Sequence, residues 1–115
     1  MYSFTKIIAV LSCVLYYAAA FNGDMTYYTP GLGSCGQTDA ETDPVVALSP
    51  SQYTLDPQAC GKQIQIHYNN QTTTAKVADK CPECSPGSID VSPAVFKILA
   101  PMTAGRIQIE WDYAT

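Results

Sequence analysis

Positive charge is scarce in this chain. Six Lys and Arg stand against ten Asp and Glu, and the basic residues do not cluster. That argues against nucleic acid or an anionic membrane as partner, because both need a concentrated cationic face. Histidine occurs once, at His67. A structural zinc wants two ligand pairs at suitable spacing. Cys81-x-x-Cys84 offers one pair and the other cysteines are isolated, so no metal or other cofactor is expected. The same motif makes a weak case for thioredoxin-like redox chemistry, which opens a helix in a βαβ pattern that is absent here. No apolar run reaches the ~20 residues that span a bilayer. Repeats, long linkers and low-complexity segments are also missing.

What is present starts with a leader. Lys6 gives a short basic start, Ile7 to Tyr17 is mostly apolar, and Ala18-Ala19-Ala20 supplies small residues for cleavage. This reads as a secretory signal peptide over residues 1–20. The mature chain is then residues 21–115, one domain with one modest core. It keeps five basic residues (Lys62, Lys76, Lys80, Lys97, Arg106) against ten acidic ones, a net charge of −5. An acidic, secreted, extracellular domain facing a neutral ligand is the expectation. Cys13 leaves with the leader, so Cys35, Cys60, Cys81 and Cys84 remain. An even number in a small secreted chain implies disulfides, with three possible pairings.

The chain is organised around Asp79-Lys80-Cys81-Pro82-Glu83-Cys84-Ser85-Pro86-Gly87-Ser88-Ile89-Asp90. Its prolines and glycine stop a helix or central strand from running through, so two carboxylates flank a constrained loop. Ser92-Pro93 follows as a helix start, with Ser at the N-cap and Pro in the first turn. The helix is expected over 93–100, burying Val95, Ile98 and Leu99. Strands are expected over 24–28, 45–48, 62–68, 72–79 and 105–111, with a turn at Asn69-Asn70 and one helical turn or less at 49–53. Ile64, Ile66 and Tyr68 face in from one strand, Ala75 and Val77 from the next, and Ile107, Ile109 and Trp111 from the last. Several short strands with one convincing helix favour a closed or nearly closed barrel, because closure removes edges.

Gly23-Asp24-Met25-Thr26-Tyr27-Tyr28, Ser34-Cys35-Gly36, Ala59-Cys60-Gly61, the run from Val77 to Cys84, the run from Gly87 to Phe96 and Gly105-Arg106-Ile107-Gln108-Ile109-Glu110-Trp111 follow in order. Together they resemble the expansin-like (barwin-like) double-psi β-barrel family, and within it the small fungal loosenins. The resemblance covers nearly all of residues 21–115. It implies a mainly β fold: a six-stranded double-psi barrel with one or two short helices and disulfide staples. It also implies loosening of cellulose- or chitin-type walls through a surface groove, without measurable bond cleavage. Expansins carry a second, carbohydrate-binding domain with an aromatic platform; this chain ends at Thr115, so weak binding by a monomer is expected.

By the same resemblance, Asp90 matches the family aspartate that aligns with the general acid of barrel-fold endoglucanases. Hydrolysis by inversion needs a second carboxylate ~6.5–9.5 Å away. Asp79 matches a groove aspartate, not the hydrolases' base. Thr26 matches the threonine beside the acid. Tyr27 and Tyr28 are candidate sugar-facing aromatics, and strand alternation allows only one of them to reach the groove. Many family members carry a tyrosine two positions after the first aspartate; Cys81 stands there in this chain. The expansin pattern pairs Cys35 with Cys60, which leaves Cys81 with Cys84. Asn70-Gln71-Thr72 is an N-glycosylation sequon on Asn70, in a surface turn. Trp111 reads as core, and His67 as a solvated strand residue. Two further functions are open: a lytic transglycosylase or weak glycosidase using Asp90, and a protein-binding module such as a protease inhibitor or effector.

Overall fold

The computed structural model describes residues 21–114. The expected signal peptide lies outside the described residues. The local logic is plainest at the central hairpin. Strand β3, Gln63–Tyr68, meets strand β4, Gln71–Lys80, through a two-residue turn. Asn69 and Asn70 both adopt positive φ there, 50° and 64°. A two-residue hairpin asks for this at both positions, and asparagine tolerates it better than most side chains.

Four further strands complete the set: β1 Phe21–Tyr27, β2 Val45–Leu48, β5 Ile89–Val91 and β6 Ile107–Tyr113. They close into a barrel in the order β1-β5-β2-β4-β3-β6. Two contacts are parallel, β1 with β5 and β2 with β4, and the other four are antiparallel. Closure gives each of these six strands a neighbour on both sides, as the many short strands required. Alternation fills the interior with Met25, Val46, Leu48, Ile64, Ile66, Ala75, Val77, Ile89, Val91, Ile107, Ile109 and Trp111.

Among the described residues, two short α-helices lie outside the barrel: α1, Pro50–Leu55, and α2, Pro93–Leu99, the latter followed by a 3-10 turn at Met102–Ala104. The first is longer than the single turn expected. The second packs against β4 and β1 and buries Val95, Phe96 and Leu99. Ile98, expected to face inward, is 54% exposed. A stripe at positions i, i+1 and i+4 already fills the contact, so Phe96 takes the place assigned to Ile98. Ser92 is the N-cap residue, yet its hydroxyl makes no cap bond. It donates instead to the Asp43 carbonyl at 2.6 Å and accepts from the Val45 N–H at 3.3 Å, tying the long β1–β2 loop to the helix start.

The first and last strands run further than their local pattern indicates. Phe21 pairs with Trp111, and the two rings lie 4.5 Å apart. Burial of this aromatic pair extends β1 back to Phe21, and β6 runs on to Tyr113, whose ring meets Trp111 edge-on. The Trp111 indole N–H donates to the Gly87 carbonyl at 3.0 Å, so Trp111 is core and clamps the loop before β5. Gly87 has φ +85°, and a Cβ there would drive into the Asn22 carbonyl. Two disulfides are present, Cys35–Cys60 and Cys81–Cys84.

Gly87→Ala is expected to cost at least about 2 kcal/mol, from the backbone conformation and the collision with β1, measured by urea unfolding. Removing Cys35–Cys60 by a double serine substitution should cost about 3 kcal/mol under oxidising conditions, read from the same transition.

Candidate functional site

Strand β2 is the pivot of the site, because it pairs on both sides. Ala47 is in register with Asp79 of β4 and with Asp90 of β5, and Asp90 is in register with Thr26 of β1. Residues in register on adjacent strands project from the same face of a sheet. Asp79, Ala47, Asp90 and Thr26 therefore form one row across four strands. Their neighbours Met25, Val46, Leu48, Val77, Ile89 and Val91 fill the interior, so the row lies on the barrel's outer face, where Ala47 itself is covered, at 2% exposure. With strands ~4.8 Å apart, the two aspartates sit about 10 Å from each other at the backbone.

Each carboxylate in the row is held differently. Thr26 Oγ1 donates to Asp90 Oδ1 at 2.9 Å. Asp90 is half-buried, and that burial raises its pKa above the ordinary aspartate value of 3.8. Glu83 and Asp79 push the same way, while the Thr26 hydrogen bond and Arg106 oppose them. Asp79 faces the opposite task. Its Oδ1 accepts the N–H groups of Ser34 and Lys80, both at 2.8 Å, so it pins the glycine-rich loop as well as fronting the row. Its backbone carbonyl accepts the Tyr53 hydroxyl at 2.7 Å.

Tyr28 belongs to the row and Tyr27 does not. Tyr28 lies two residues beyond Thr26, on the same side, and its N–H donates to the Val91 carbonyl at 2.9 Å. Its phenol is held well above the usual tyrosine range, first by burial and then by the charges of Asp79, Asp90 and Asp39. One phenol thus feels both row carboxylates. Tyr27 turns to α2: its ring stands 4.8 Å from Phe96, and its hydroxyl donates to the Met102 carbonyl at 3.1 Å.

Beside Asp90 the row opens into a cleft of about 310 Å³, lined among others by Thr26, Asp90, Glu83, Arg106 and the Cys81–Cys84 disulfide. Arg106 Nη1 donates to Asp24 Oδ2 at 2.9 Å, and Gln108 also donates to Asp24. Cys81 is 7% exposed, so the position at which the family resemblance implies tyrosine is here a buried wall. Glycosylation candidate Asn70 is exposed at the hairpin turn. A wider recess of about 950 Å³ lies beneath that turn. There His67 bridges Thr72 and Asp112, at 3.0 Å each; it joins two strands and stands apart from the row.

Sequence reasoning missed Tyr53, Arg106, Glu83 and Asp24 as contributors. Tyr53 sits on α1, read as one helical turn or less; its phenol is pushed up to about 12 by burial, Asp79 and Tyr113. Arg106 reaches the site because Asp24 and Gln108 are paired across β1 and β6, a contact that no local pattern reports.

The geometry defines a barrel with an outer row of two acids, a hydroxyl and one tyrosine, which opens beside Asp90 into a polar trough of about 310 Å³. The chain belongs to the expansin-like double-psi β-barrel family. It is 38% identical over 99 residues to a papain inhibitor of Streptomyces mobaraensis, covering 79% of this chain and 69% of that protein. It is 43% identical over 98 residues to Allergen Asp f 7 of Aspergillus fumigatus, spanning 36% of that protein's length. Among solved structures, the Streptomyces papain inhibitor matches with a TM-score of 0.75 and 33% identity, over 84% of this chain and 96% of that one. A Clavibacter michiganensis expansin in complex with cellohexaose matches with a TM-score of 0.76 and 26% identity, over 84% and 51%. No protein-family model matches.

Because Asp90 binds its proton more tightly folded than unfolded, its contribution to stability is full below the unfolded pKa. It is lost as pH rises through the folded pKa. Asp90→Asn should therefore lose less stability than wild type as pH rises from 3.8 through the carboxylate range. In carboxyl NMR titrations, Thr26→Val and Arg106→Gln should move the Asp90 midpoint further up, and Glu83→Gln should move it down.

Proposed function

We propose that this chain, secreted after loss of residues 1–20, binds a β-linked cell-wall polysaccharide of cellulose or chitin type along the row Asp79–Ala47–Asp90–Thr26. It loosens the polymer without cleaving it. The observation that carries the reading is the row itself: acceptors, a hydroxyl and a tyrosine set on one outward face around a small alanine. Sugar hydroxyls satisfied by Asp90, Thr26 and Asp79 are hydroxyls withdrawn from neighbouring polymer chains. Tyr28 offers an amphipathic ring for the apolar face of a sugar. The related expansin in complex with cellohexaose supports a polysaccharide as ligand. Asp90 acts here as a hydrogen-bond partner. Asp79, the other carboxylate of the row, already spends one oxygen on two amides, Ser34 of the loop and Lys80 of its own strand.

A second reading has its own support. The relationship to a papain inhibitor runs over 69% of that protein's length and 96% of its solved chain. On this reading the chain binds a papain-like cysteine protease.

In a pull-down on cellulose and chitin, Asp90→Asn is expected to weaken retention about tenfold, the size of a lost charge-assisted hydrogen bond. Filter-paper weakening should fall with it, and no reducing or anhydro sugar should be released by wild type. Equal retention by Asp90→Asn would remove the trough from the account, and sugar release would make the protein an enzyme.

A further inference from the structure

The protease-binding reading leaves open which surface would meet the enzyme. The most exposed large apolar side chain among the described residues is Leu32, at 76%. It stands between Gly31 and Gly33 in the β1–β2 loop. The loop folds on itself as a small hairpin, with Leu32 opposite Thr38. Asp39 N–H donates to the Gly31 carbonyl at 3.0 Å, and Gly33 N–H to the Gln37 carbonyl at 3.0 Å. These bonds fall on either side of Leu32. That makes Leu32–Thr38 a pair whose own backbone groups point away from each other. Among the described residues, the Leu32 N–H and C=O take part in no hydrogen bond. An extended residue thus offers a free donor, a free acceptor and an apolar side chain, with glycine on both sides to keep the approach narrow.

The segment behind Leu32 is fixed. Cys35 is bound to Cys60. Cys35 N–H donates to the Ala78 carbonyl at 3.2 Å, and Ser34 N–H to Asp79 at 2.8 Å. Gly33 lies so close to β4 that a Cβ would run into the Ala78 carbonyl. Little ordering entropy remains to be lost when a partner pairs with this loop.

We propose that Leu32 anchors the docking loop for a papain-like cysteine protease; this rests on the second reading above. Such enzymes hold substrates as an extended strand and recognise alternate side chains in pockets. The enzyme's cleft bonds the N–H and C=O of Leu32, and its apolar pocket takes the leucine. The Gly33–Ser34 bond beyond is pressed against β4 and held by Asp79. It cannot move onto the catalytic thiol, so the loop blocks the cleft without being cut.

The test is inhibition of papain by wild type, Leu32→Asp, Leu32→Ala and Leu55→Asp. Leu55 is a second exposed leucine, at 71%, on α1. Leu32→Asp should raise the inhibition constant about 30-fold or more, the range of an interface anchor. Leu32→Ala should raise it less, and Leu55→Asp should leave it unchanged. Circular dichroism melts and chitin retention should match wild type in all three. If wild type inhibits and both Leu32 variants inhibit equally well, the loop is not the anchor although the protease reading stands. If wild type leaves papain fully active, both fall. Mass spectrometry showing cleavage at Gly33–Ser34 would make the loop a substrate and overturn the proposal.

Discussion

The row of acids that this barrel presents depends on one register shift. Val46 of β2 pairs with Val77 of β4, but the next residue, Ala47, pairs with Asp79, so Ala78 is the extra residue of a bulge. Without it, Ala47 would face Ala78, and Asp79 would fall opposite Leu48. Leu48 lies in the core, so the carboxylate would point into the barrel with it. A slip of one residue exchanges the two faces of a strand. The bulge reverses the parity of β4 at the position where an acid follows an apolar strand. It thereby aligns Asp79 with Asp90 and turns two acids, eleven positions apart in the chain, into members of one row.

The neighbourhood of that row shows how little chain serves several ends. Asp79 stands in the row with its side chain, holds the glycine-rich loop through the Ser34 amide, and receives Tyr53 from α1 through its carbonyl. The loop so held carries Leu32. The polar row and the apolar loop are therefore neighbours joined at Asp79. A family member that handles polysaccharide and one that meets a protein can share this framework and differ in which of the two surfaces is elaborated. Fold alone does not decide between them.

Much of this was legible in the sequence, for identifiable reasons. Alternation marked β3 and β6 with their buried faces, because one side of each strand meets the core and the other meets water. The Asn-Asn turn and the proline at the start of α2 followed from backbone conformation alone. Both disulfides came from family likeness, since four cysteines by themselves allow three pairings. What stayed hidden was long-range. The bulge at Ala78 leaves no mark in a run such as Thr-Ala-Lys-Val-Ala-Asp. Tyr28 rather than Tyr27 reaches the row by its parity with Thr26, but the packing of the Tyr27 ring on Phe96 is a contact between residues far apart in the chain. Ser92 had the right residue type for a cap, but a stronger demand from the β1–β2 loop took its hydroxyl.

The parallel pairing of β1 with β5 has a bearing on how the molecule comes into being. The partners of β1 lie in β5 and β6, in the last third of the chain, and Thr26 reaches Asp90 across 64 positions. Contacts of such separation are formed slowly. During synthesis, β1 therefore waits with both flanks bare until β5 and β6 have emerged. Closure of this barrel waits on its last strand, and in the interval the nascent chain depends on whatever shields an unpaired strand from its neighbours.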